Sequence, residues 1–167
     1  VLRAVLCIVI GGIAVSSTPA RAEQAAPDSV WTGTLQMAPA GPRSDPVNVR
    51  VVLGPLPQRA GECATWHTTY ERRGDPAVVK PYRLCRSAAP EAYVIDEGNG
   101  IQLAARRVDN TLFSTYRIGT TVFVTQLRWI GERIEQELSV FEPAADTGAV
   151  VSLVLTSRQY VVLRRAR

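Results

Sequence analysis

The feature that most constrains this chain is its punctuation. From Val30 onward, short runs rich in Val, Thr, Leu and aromatic residues alternate with turn signals built from Gly, Pro, Asn and Asp. The runs cover residues 30–37, 47–53, 62–72, 78–86, 92–96, 101–108, 111–118, 121–130, 133–141, 149–156 and 158–163. The fourth is broken near Pro81, and the charges of 133–141 (Arg133, Glu135 and Glu137) leave that run ambiguous with a helix. Most connections are two to six residues long. That suits antiparallel neighbours and leaves no room for the helical crossovers of a parallel sheet. The pattern predicts an all-β chain, an antiparallel meander of about ten strands. A meander of this length hides its edges by closing, so a small barrel is expected, with a two-sheet β-sandwich as the alternative.

Alternation assigns faces, because successive strand side chains point to opposite sides. Trp31, Gly33, Leu35 and Met37 share one face. Val47, Val49, Val51 and Leu53 share another, as do Ala64, Trp66, Thr68 and Tyr70, and then Tyr82 with Leu84. Cys63 and Cys85 fall on the opposite, polar faces of neighbouring strands. A disulfide across the outer wall is therefore expected, closing a loop of about 22 residues and stabilising by roughly 3 kcal/mol.

Residues 1–22 have the form of a secretory signal peptide. Arg3 precedes an apolar run from Ala4 to Val15, and Ala20-Arg21-Ala22 provides an A-x-A cleavage site. The run is short of the roughly 20 residues needed to span a bilayer, so no transmembrane segment is expected after cleavage. Cleavage removes Cys7 and leaves the even pair Cys63 and Cys85, as an oxidising compartment favours. A periplasmic or secreted protein is expected. Residues 23–29 read as a flexible leader and 30–167 as a single domain.

The formal net charge is +4, and losing Arg3 and Arg21 with the signal lowers it to +2. Nucleic acid is not an expected partner of so weakly charged a chain. His67 is the one histidine, and it shares a face with Cys63, Thr65 and Thr69. It is expected on the outer wall, with no metal and no cofactor, since no ligand set accompanies it. No G-x-S-x-G elbow is present. Asp96 and Glu97 are adjacent and point to opposite faces, so they read as part of a solvated turn before Gly98-Asn99-Gly100. Glu135 and Glu137, with Arg133, read as a wet outer wall, and the doublets Arg72-Arg73, Arg106-Arg107 and Arg164-Arg165 as solvated surface. No catalytic residues are expected.

Trp31-Thr32-Gly33 on the first run, followed by a meander to Leu163, resembles the calycin group of lipocalin-like and fatty-acid-binding-protein-like barrels. The resemblance implies a barrel. It carries over no ligand and no catalytic residue. Lipocalins begin Gly-x-Trp, and residues 39–46 are too short for the helical lid of fatty-acid-binding proteins. Nitrobindin-like barrels share Trp-x-Gly but use a C-terminal His, which this chain lacks.

The expected function is non-enzymatic binding of a small apolar or amphipathic ligand. Trp31, Trp66, Tyr70 and Tyr82, with Thr68 as a polar handle, are the candidate ligand-binding residues. The alternative is a protein-interaction module, an inhibitor or envelope scaffold with a protein partner. It would act through barrel-mouth loops at 39–46, 54–61 and 142–148.

Overall fold

The computed structural model describes residues 27–39, 45–144 and 150–166. The expected signal peptide and residues 23–26 of the expected leader lie outside the described residues. The chain forms ten antiparallel strands: β1 (Ser29–Ala38), β2 (Val47–Leu53), β3 (Cys63–Arg72), β4 (Val78–Arg86), β5 (Ala92–Asp96), β6 (Gln102–Val108), β7 (Thr111–Ile118), β8 (Thr121–Ile130), β9 (Arg133–Pro143) and β10 (Leu153–Arg165). Each strand pairs with its sequence neighbours, and β1 pairs with β10, so the sheet closes into a barrel. Closure leaves no strand edge unpaired, which decides for the barrel against the sandwich.

Two expectations are corrected here, and one ambiguity is resolved. Ser29 belongs to β1 and not to the leader. Residues 133–141, open between strand and helix, are strand, with Ile134 and Leu163 both buried where β9 meets β10. The two runs expected at 149–156 and 158–163 are one strand, β10, whose register against β9 shifts between Leu155 and Ser157. A bulge keeps one strand continuous while changing which residues face inward. Residues 150–152 are described but not strand, and 145–149 lie outside the described residues.

Gly33 shows why the first strand needs its glycine. A Cβ there would run into the Val162 carbonyl oxygen and come within 2.8 Å of Val161 Cγ2. β1 pairs with β10 at Trp31–Thr32 and again at Gln36–Ala38, on either side of this close approach. A glycine at such a point lets a barrel strand bend sharply.

A meander places its hairpins alternately at two ends. The β1–β2, β3–β4, β5–β6, β7–β8 and β9–β10 connections surround one end, called the mouth here. The β2–β3, β4–β5, β6–β7 and β8–β9 connections close the floor. Residues 54–61 are therefore a floor segment and not a mouth loop, contrary to expectation. Pro57 is buried within it and Leu56 packs against the core.

The inward faces follow the alternation. Val49, Val51, Leu53, Trp66, Leu84, Ile134, Val161 and Leu163 are buried in the lower barrel. Met37, expected inside, is exposed, because β1 has reached the rim by that position. The other large apolar side chains that are exposed among the described residues also gather at the mouth, Val108 excepted. They are Val78, Val79, Ile101, Ile118, Val150, Val151 and Leu153 to Leu155.

Candidate functional site

The upper half of the barrel is hollow. A cavity of about 410 Å³ lies between the mouth and the floor, inside the range of about 300–1,000 Å³ typical of small-molecule sites. Its depth is apolar, formed by Trp66, Ile95, Leu112, Leu127 and Val161. Its upper wall is polar and aromatic, formed by Tyr70, Lys80, Tyr82, Glu97, Tyr116 and Gln159. Strand parity puts them there. Lys80 and Tyr82 share the inward face of β4 with buried Leu84, and Tyr116 shares that of β7 with Leu112 and Ser114.

A second cavity of about 200 Å³ sits under the floor segment. Trp31, Trp66 and Trp129, all the tryptophans of the chain, line it with Leu56. The Trp31 indole Nε1 donates to Ser29 Oγ at 2.8 Å, and Ser29 Oγ donates to the Leu53 carbonyl at 3.1 Å. The chain thus satisfies its half-buried indole locally.

The candidate residues divide accordingly. Thr68, Tyr70 and Tyr82 line the upper cavity, and Trp66 lines both cavities. Trp31 lines only the lower one, so it stands apart from the set with which it was grouped. The separation follows from position along the strand. Trp31 pairs with Val51 near the floor, whereas Tyr70 pairs with Val49 nearer the mouth. Cys63 and Cys85 are directly opposite in the β3–β4 register and are disulfide-bonded. The bond lies on the outer wall, with Cys63 exposed. His67 is exposed on the same wall.

Glu97 was expected in a solvated turn, and that is corrected. Asp96 points outward, where Arg83 Nη2 donates to its carboxylate at 2.6 Å, while Glu97 points inward and lines the cavity. The backbone beyond it turns back at once. Glu97 N–H donates to the Ile101 carbonyl, and Gly98 and Gly100 take the positive φ that the turn requires. Glu135 and Glu137 do face the outer wall, engaged by neighbours. Glu135 pairs with Arg133 at 3.1 Å. The Glu137 carboxylate accepts from Arg158 at 2.7 Å and from Ser139 at 3.0 Å. The Arg72-Arg73 doublet stands at the mouth, and the other two stand toward the floor.

Electrostatics in the upper cavity are governed by burial. Burial raises the Tyr70 hydroxyl above its ordinary value, and neighbouring Tyr116 adds to this. Tyr82 is pushed up to about 12, first by burial and then by the charge of the neighbouring Glu97 carboxylate. Tyr116 is raised by burial and by the charge of Glu97. All three tyrosines are thus neutral hydroxyl donors at physiological pH. The Gln136 Oε1 atom in the cavity wall is buried without a hydrogen-bond partner, a cost that a packed apolar residue would not carry.

Lys80, Glu97, Ser114, Tyr116, Thr125, Gln136 and Gln159 also line the cavity and were not anticipated. Parity was the available signal: each lies an even number of positions from a buried apolar residue on its strand or its immediate extension. Their polarity masked it, since polar positions read as solvent-facing.

No protein-family model, curated protein or solved structure matches the chain. The likeness to calycins stands on the closed antiparallel barrel and on Trp31-Thr32-Gly33.

Proposed function

We propose that the protein is an exported, non-enzymatic carrier that holds a small apolar or amphipathic ligand in the upper cavity. The observation that carries this reading is the wall of that cavity, which is apolar at its deep end and carries Tyr70, Lys80, Tyr82, Glu97 and Tyr116 higher up, below the rim. A barrel that merely filled its interior would place large apolar side chains where Thr68, Ser114 and Thr125 stand. The wall-mounted disulfide supports export, since such bonds persist in oxidising compartments such as the periplasm or the extracellular space.

Native mass spectrometry of the protein purified from an oxidising compartment tests the reading. A co-purified small molecule that is lost on denaturation is the expected result. A protein that is empty and also takes up no amphiphile added in excess would overturn it.

A second reading is favoured by the apolar rim. Val78, Ile101, Ile118 and Val151 surround the mouth and are exposed, as is common at protein-docking sites. On this reading the mouth seats an envelope protein partner. Ile118→Glu would then abolish partner capture while leaving ligand uptake intact.

A further inference from the structure

Two acidic residues border the upper cavity, and their carboxylates point to opposite sides of the sheet. The Glu137 carboxylate lies on the outer face, held by Arg158 and Ser139. Glu97 has no ion-pair partner among the described residues, and the Tyr82 side chain stands beside it in the cavity wall. A carboxylate has room for about four hydrogen bonds, so most of its capacity is open. Around it stand three phenol rings. All three line the same cavity as Glu97; Tyr82 and Tyr116 are close enough to feel its charge, and Tyr70 is close enough to interact with both tyrosines. Tyr116 is held in place by stacking on Phe123, with ring centroids 5.0 Å apart and planes 7° from parallel.

Ring faces attract cations, and a carboxylate set among them adds a full opposite charge. Below the cluster the wall turns apolar, at Ile95, Leu112 and Leu127. From this juxtaposition we infer that the ligand is a cationic amphiphile: an organic ammonium held by Glu97 among Tyr70, Tyr82 and Tyr116, with an apolar tail directed toward Trp66. The inference rests on the carrier reading and adds the chemistry of the head group. Two cations stand further out. Lys80 lies two residues nearer the mouth than Tyr82 on the same face of β4 and is exposed. Arg72 lies two residues beyond Tyr70 on β3, half-buried, and does not line the cavity. Lys80 is screened by water, so it weakens the site without reversing its sign.

Three probes of equal chain length separate the contributions: decyltrimethylammonium and decanoate, each below its micelle concentration, and decanol, below its solubility limit. Binding to the disulfide-bonded protein is followed by calorimetry and by tryptophan fluorescence, since Trp66 lines the cavity. The ammonium is expected to bind about tenfold more tightly than decanol, with decanoate weakest. Glu97→Gln brings the ammonium to the level of decanol and leaves decanol unchanged. If decanol binds but decanoate matches or exceeds the ammonium, the head-group inference fails and the carrier reading stands. If Glu97→Gln keeps the preference, the inference fails in the same way. If none of the three binds, the carrier reading fails as well. Lys80→Gln provides an independent check that does not touch Glu97. It is expected to tighten ammonium binding, and unchanged or weaker binding overturns the inference.

Discussion

Trp66 and Leu127 are the two side chains that belong to the walls of both cavities. They come from β3 and β8, on different sides of the barrel, and separate the upper chamber from the tryptophan-lined one beneath. Each of these two side chains touches both chambers, within the packed layer that also holds Val51, Ile134 and Leu163.

Trp66→Ala is expected to merge the chambers. Trp66 is 8% exposed, and truncating a buried Trp costs about 3–5 kcal/mol. Denaturant titration checks the loss. A midpoint within experimental error of the wild type would show that the partition is not packed.

Gly33 tests the closure of the barrel. Gly33→Ala places a Cβ against the Val162 carbonyl and the Val161 side chain. The clash is with backbone, which cannot rotate away, so a destabilisation of about 1–3 kcal/mol is expected. Amide exchange should show the loss concentrated along the β1–β10 ladder. Uniform loss would contradict this.

The disulfide acts elsewhere, on the outer wall. Cys63 and Cys85 are 22 residues apart, and opening such a loop is expected to cost roughly 3 kcal/mol. Reduction, or the paired change Cys63→Ala with Cys85→Ala, lowers the thermal midpoint. Ligand uptake survives at temperatures where the barrel remains folded, because neither sulfur lines the cavity.

Stability should fall at both ends of the pH scale for separate reasons. The folded-state pKa of Tyr82 is about 12, against 10.0 for the free side chain. The folded protein thus keeps a proton that the unfolded chain gives up. That contribution is complete below pH 10 and is lost as pH rises toward 12. Phenolate absorbance of the native protein should show Tyr70, Tyr82 and Tyr116 ionising late. On the acid side the Arg158 guanidinium, by hydrogen bonding, holds Glu137 below its ordinary 4.5. That contribution is present above pH 4.5 and is lost as pH falls through the lower folded value. Glu137→Gln should match the wild type in strong acid and fall below it at neutral pH.

Strand positions were legible because turns and alternation are local signals. The bounds of β2, β4, β5, β7 and β8 were marked by Gly, Pro and Asn at their ends. The joining of the last two runs was not legible. A bulge at Leu155–Ser157 obeys the register of β9, a strand that the local residues do not reveal. The site was half legible. Tyr70 and Tyr82 stood out as aromatics on apolar faces. Glu97 did not, because a carboxylate beside a glycine turn is ordinarily solvated, and only the closed sheet makes its side of the strand a cavity shared with Tyr116. The assignment of the 54–61 segment to the mouth failed for a topological reason, since which end a loop occupies depends on counting strands and not on the composition of the loop.

The seam between β1 and β10 has a consequence for the history and engineering of this chain. It is the one long-range junction, and Trp31 and Arg165 sit opposite each other across it. A short linker there would turn the seam into one more hairpin, and the ring could then be cut at any other turn. Folding of the natural chain must wait for its two most distant strands to find each other. A rearranged chain moves that wait to a different junction, so the order of assembly can be rewritten without altering a single residue of the wall.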